Sequence, residues 1–148
     1  MRHLVPAATL AALAGLALGG CSRDPQERYC ETVEHHQAAL TEVAASDDPG
    51  AVFDALDAYV DLAEQAPRDI SDDWAAVVDP LRALERVLAE HDVDPSDYSA
   101  DTPPGRLDDA ARAEIEAAAR DVGSEQAIDA MAAVEQHALD VCGTPLSR

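Results

Sequence analysis

The sequence predicts an all-α fold, a helical bundle of four to five helices closed by one disulfide, on three observations. Apolar residues recur with a period of about 3.6 in five consecutive segments. No segment shows the strict alternation of a half-buried strand. Two cysteines, Cys30 and Cys142, sit near the two ends of the chain that follows an apolar leader.

The first segment opens at Asp24-Pro25, an N-cap residue followed by a proline whose missing N–H costs nothing at the first helical position. Its stripe is Tyr29, Val33, His36, Leu40 and Val43. The second opens with the same logic at Asp48-Pro49, carries Val52, Phe53, Leu56, Tyr59, Val60 and Ala63, and stops before Pro67. The third carries Ile70, Trp74, Val77, Val78, Leu81, Leu84, Val87 and Leu88, with Ser71 as its cap. Pro80 falls inside it, and because the stripe stays in register beyond the proline the segment reads as one kinked helix, not two.

A long loop follows from Asp92 to Gly105, with four aspartates, three prolines and a glycine. The fourth segment has Leu107, Ala111, Ile115, Ala118 and Val122, and ends at Gly123. Ser124 caps the fifth, whose stripe is Ile128, Met131, Val134, Ala138 and Val141, closing at Cys142-Gly143 with a glycine C-cap. Alanines on the inner faces let helices approach closely, which suits a chain with so few aromatic residues.

The leader is an address. Residues 1–20 contain no acid and one base, Arg2, beside His3. Leu4 to Leu18 is then apolar, which is the layout of a signal peptide. A permanent spanning helix takes about 20 apolar residues, so this run is marginal as an anchor of its own. Leu18-Gly19-Gly20-Cys21 resembles the lipobox of bacterial lipoproteins, and the resemblance implies a diacylglycerol on the Cys21 thiol and cleavage just before that residue. The competing reading is an ordinary secretory signal with a cysteine nearby. The expected organisation is a signal peptide over 1–20, a lipidated tether over 21–25 and a helical domain over 26–148. Acyl chains in pairs give stable anchoring where one is marginal.

Lipidation of Cys21 leaves Cys30 and Cys142, and an extracytoplasmic location permits them to pair. The alternative is two buried free thiols. A bridge would close almost the whole domain into one loop, the arrangement in which a cross-link constrains the unfolded chain most.

The formal net charge is −20, lysine is absent, and all 30 acids lie after residue 20. A field of this sign excludes non-specific nucleic-acid binding. It also repels anionic lipid surfaces, so an anchor on Cys21, and not the domain surface, must hold the protein at a membrane. The acidity reflects either GC-rich coding or adaptation to high salt, where self-repulsion is screened.

Tyr29-Cys30, Ala66-Pro67…Ile70…Asp73-Trp74 and Cys142-Gly143 together resemble a pattern in small helical lipoproteins of actinobacteria. The resemblance covers most of the chain after the leader. It implies the helical fold, the disulfide and the location, and no activity.

Chemistry-bearing patterns are sparse. Read as an EF-hand, the loop would offer Asp92, Asp94, Ser96 and Tyr98, but Asp97 stands where a glycine is required and Pro103 where a bidentate glutamate is required. A solvated acidic connection is the better reading. If the first and last helices ran antiparallel from the bridge, His35 would lie level with His137, with Glu31 one turn from His35, and the three would be candidates for a zinc or copper site. Against this, each histidine is turned about 140° from the cysteine that faces the partner helix. His36 lies on the apolar stripe and reads as a partly buried, hydrogen-bonded residue; His91 falls near a helix C-terminus, where a cation is favoured. There is no HExxH, G-x-S-x-G or CxxCH pattern, and no Glu-x-x-His pair of the di-iron type.

The sequence therefore reads as a non-enzymatic lipoprotein on the extracytoplasmic face of the cell membrane, anchored through Cys21, without a cofactor. Its expected role is a binding module of the envelope, with a basic envelope protein as the partner its charge would suit. The second reading is a protein that binds or handles divalent cations.

Overall fold

The computed structural model describes residues 24–48, 50–98 and 106–148. The lipobox with Cys21, Pro49, and the last part of the aspartate-rich loop with Pro103 lie outside them. Among the described residues all regular structure is helical: α1 (Pro25–Ala44), α2 (Ala51–Asp54), α3 (Leu56–Gln65), α4 (Ser71–Glu90), α5 (Asp109–Val122) and α6 (Glu125–His137). A short 3₁₀ turn spans Pro95–Asp97, and α6 runs on into a π-helical turn, Ala138–Cys142. The second predicted segment is thus interrupted at Ala55, which forms the turn between α2 and α3.

The caps are largely those the sequence announces. Asp24 accepts a hydrogen bond from the Gln26 amide with Pro25 in the first turn, and Ser124 accepts one from the Ala127 amide. Asp108 caps α5 through the Ala111 amide, so Leu107 precedes its helix instead of belonging to it. Ser71 is the first residue of α4 and not its cap; its hydroxyl donates to the Arg68 carbonyl. Gly143 ends the π-turn at φ +66°, a conformation that a side chain would strain.

Helix α4 is the central strut. It runs through Pro80 as one helix, and α3, α5 and α6 all pack on it, while α1 packs on α3. Its stripe explains why. Trp74 and Val78 join Tyr29, Val33, Leu40, Leu62, Val134 and Leu146 in one apolar cluster. Val77 and Leu81 meet Leu56 and Ala130 in a second. Leu84 and Leu88 meet Val93, Tyr98 and Ile115 in a third. One helix with apolar residues on successive turns thus supplies every part of the core.

Two details depart from the sequence reading. On α6 the buried face is Ala127, Ala130, Val134 and the following Ala138, whereas Ile128 is 60% exposed. Alanines can lie close against α4, so the helix is rotated to bury them and the larger residue turns outward. The aspartate-rich loop is also more than a solvated connection. Val93 and Tyr98 are 3% and 8% exposed, and burial raises the Tyr98 hydroxyl above its usual ionisation range, with Glu116 adding to the effect.

The loop leaves α4 through a left-handed turn. Asp92 has φ +53°, its amide donates to the Ala89 carbonyl, and the Val93 amide reaches back to the Leu88 carbonyl at 2.9 Å. That is a Schellman closure with aspartate where glycine is usual, and Leu88 and Val93 share an apolar cluster across it. Pro95 then starts the 3₁₀ turn, capped by Asp94, whose carboxylate accepts from both the amide and the hydroxyl of Ser96. Those bonds hold Asp94 below the ordinary carboxylate range.

This turn lies directly on Gly50. A Cβ there would stand 2.7 Å from the Ser96 Cα and 2.9 Å from the Pro95 carbonyl oxygen, both backbone atoms that cannot swing away. Gly50→Ala is therefore expected to destabilise the fold by about 2 kcal/mol, through backbone displacement in a packed region. Urea denaturation would show a lowered midpoint at unchanged slope; an unchanged midpoint would mean that the loop yields without cost.

Candidate functional site

The chemistry-bearing side chains collect on α1 and on the elements against it. Cys30, in the second turn of α1, is bonded to Cys142 at the end of the π-turn, with their Cα atoms 5.3 Å apart and 112 positions apart in sequence. The π-turn carries the chain past α1, and Gly143 then turns the C-terminal tail back over it, where Leu146 is buried.

Beneath the bridge lies a polar link within the core. The Trp74 indole N–H donates to the Tyr29 hydroxyl at 3.1 Å, and both side chains are fully buried. Burial pushes the Tyr29 hydroxyl up, and the bond from Trp74 opposes part of that shift. The His137 ring packs edge-on against Tyr29, with centroids 5.5 Å apart. Its Nε2 is 3.6 Å from an Asp69 carboxylate oxygen, while its buried Nδ1 has no hydrogen-bond partner among the described residues.

On another face of α1, a groove of about 340 Å³ runs between α1 and α3. Glu31, Thr32, His35 and His36 line one side, Asp61 and Gln65 the other. His36 Nε2 is 3.1 Å from Asp61 Oδ2, and the His35 and His36 rings meet edge to face at 4.7 Å. The Thr32 hydroxyl is engaged, donating to the Arg28 carbonyl. The arrangement offers an imidazole–carboxylate pair open to water.

The three metal candidates are divided between these places. Glu31 and His35 share the groove; His137 lies at Tyr29 and Asp69. The antiparallel register that would align His35 with His137 is not formed, because α6 packs along α4 and the chain's end meets α1 mainly through the π-turn. Among the described residues no group of three or more His, Cys, Asp or Glu side chains is placed to hold a metal ion. His91, at the end of α4, is 3.0 Å from Glu114 of α5. The loop position Asp94, an EF-hand candidate, spends its carboxylate on Ser96.

His36 is partly buried and hydrogen-bonded, as its place on the apolar stripe implies, whereas nothing in the sequence marks Asp61, Asp69 or Glu114 as histidine partners. Each comes from a different helix or loop and from a sequence crowded with acids, so no spacing singles it out. Among the described residues no helix is long and apolar enough to cross a membrane. No family model, no curated protein and no solved structure matches this chain.

Proposed function

We propose that this chain is a lipoprotein, anchored through Cys21 on the extracytoplasmic face of the membrane, whose disulfide-closed bundle serves as a binding module of the cell envelope. The observation that carries this reading is the Cys30–Cys142 bridge. Such bonds persist in oxidising compartments and are rare in the cytosol, so the bridge suits export, and Leu18-Gly19-Gly20-Cys21 supplies the export signal together with the attachment point. With lipid on Cys21, all three cysteines have a role. The charge of −20 makes the natural partner a basic protein, met by electrostatic steering that weakens as salt rises.

Membrane fractions from cells expressing the full chain and its Cys21→Ser variant test the location. Mass spectrometry should find an acylated N-terminus beginning at Cys21 in the first, and the variant should be released or left unprocessed. A variant that stayed at the membrane through an unchanged, cleaved N-terminus would sink the lipoprotein reading. Crosslinking in intact cells tests the role: a discrete basic partner, lost when salt is raised, is the expected capture. Nothing above background in repeated trials removes the binding-module reading.

A further inference from the structure

A cavity of about 150 Å³ lies between α1, α3, α6 and the C-terminal tail, apart from the groove and the bridge. Leu40 of α1, Tyr59 of α3, Met131 of α6 and Leu146 of the tail form its apolar walls, and Glu135 of α6 is its one ionisable carboxylate. The tail is a built wall. Leu146 is buried, the Gln37 side-chain amide donates to the Pro145 carbonyl at 2.6 Å, and the Arg148 amide donates to the Thr41 hydroxyl at 3.0 Å.

We propose that this cavity binds a small apolar cation, an aryl- or alkylammonium ion whose hydrocarbon part fills the apolar walls and whose charge meets Glu135. The size suits one aromatic ring, since a volume of about 150 Å³ accommodates benzene. The lining sets the charge. An aromatic ring and a carboxylate at one site are the two groups that attract an ammonium ion out of water. Glu135 lies near enough to Tyr59 to raise its hydroxyl above the ordinary range, after the larger effect of burial. Among the described residues no arginine or histidine is paired with Glu135, so its charge is available to a ligand. An anion would meet both that carboxylate and the negative field of the whole chain. The phosphate of a zwitterionic lipid headgroup would meet the same repulsion, which makes the ligand a free amine.

The test is an NMR titration of the full-length chain at fixed ionic strength with benzylammonium and its neutral counterpart, benzyl alcohol. Benzylammonium is expected to give saturable shifts centred on Tyr59, Met131 and Leu146. The alcohol should bind about three-fold more weakly, the scale expected of a contact with one exposed carboxylate. Glu135→Gln, a change at an exposed position, should erase that preference. Ala44→Leu, which adds bulk at the cavity wall, should weaken binding of both probes. Equal binding of amine and alcohol would overturn the assignment of a cation to this cavity. Shifts scattered over surface carboxylates, or absent at the cavity, would overturn the proposal, as would binding untouched by Ala44→Leu. None of these outcomes depends on lipidation or on a protein partner.

Discussion

Replacing both Cys30 and Cys142 by serine is expected to lower the stability of the domain by about 4 to 5 kcal/mol, the scale set by a loop of this length. The bridge closes a separation of 112 positions, so without it the unfolded chain regains nearly all of its end-to-end freedom. Native packing should survive the change. Tyr29, Val33, Ala138 and Leu146 join the two ends of the chain in one apolar cluster without help from sulfur, and both cysteines are only partly buried. The loss should therefore appear as a lowered urea midpoint with helical circular dichroism retained in water, and with a steeper slope because the unfolded state is more expanded. Free-thiol titration of the denatured wild-type chain, with Cys21 accounted for, should find neither Cys30 nor Cys142 reactive until a reductant is added. A destabilisation below about 1 kcal/mol would show that packing of the ends, and not the cross-link, dominates the closure.

The fold was legible where large apolar residues carry the period. Helix α4 is the clear case: from Ile70 to Leu88 the stripe names a helix, its inner face and its continuity through Pro80. Helix α6 was legible as a helix but not in its rotation. Alanine buries too little area to outweigh its neighbours in a sequence pattern, so the pattern favours Ile128, and only the close approach to α4 selects Ala127 and Ala130 instead. Leu62, fully buried, is masked in the pattern because the face it shares is otherwise alanine: Ala51, Ala55 and Ala58 precede it at helical spacing, while the larger Phe53, Tyr59 and Val60 beside them are only partly buried. Val93 and Tyr98 are single apolar residues among turn formers; their burial depends on α5 and on the end of α4, which no local window contains.

The same distinction holds for the functional groups. Pairing of Cys30 with Cys142 was legible from the cysteine count, with Cys21 set aside as the expected lipidation site. The surroundings of His35 and His137 were not, because one bridge fixes one point of contact and leaves the directions of the two helices free. Those directions are set by α4, which draws α6 to itself and leaves α1 to α3. The cavity beside Tyr59 and Glu135 depends on a tail that contributes only Leu146 and Ser147, too short a stretch to carry a period.

Trp74→Ala is expected to cost about 4 kcal/mol, in the range for removing a fully buried large aromatic side chain. Two effects combine. The indole is wholly buried beside Tyr29 and Tyr59, so its loss opens a cavity at the junction of α1, α3 and α4. It is also the donor to the Tyr29 hydroxyl, whose removal leaves a buried polar atom short of a partner. Trp74→Phe separates the two: it keeps most of the apolar volume, loses the donor, and should cost about 2 kcal/mol. Trp74 is the only tryptophan, so both variants need circular dichroism, not fluorescence, as the readout. If phenylalanine were as costly as alanine, the polar link from Trp74 to Tyr29 would be the organising element of this core. If it were free, shape alone would be, and the His137 ring beside Tyr29 would be held by packing and not by the orientation that Trp74 imposes on the phenol.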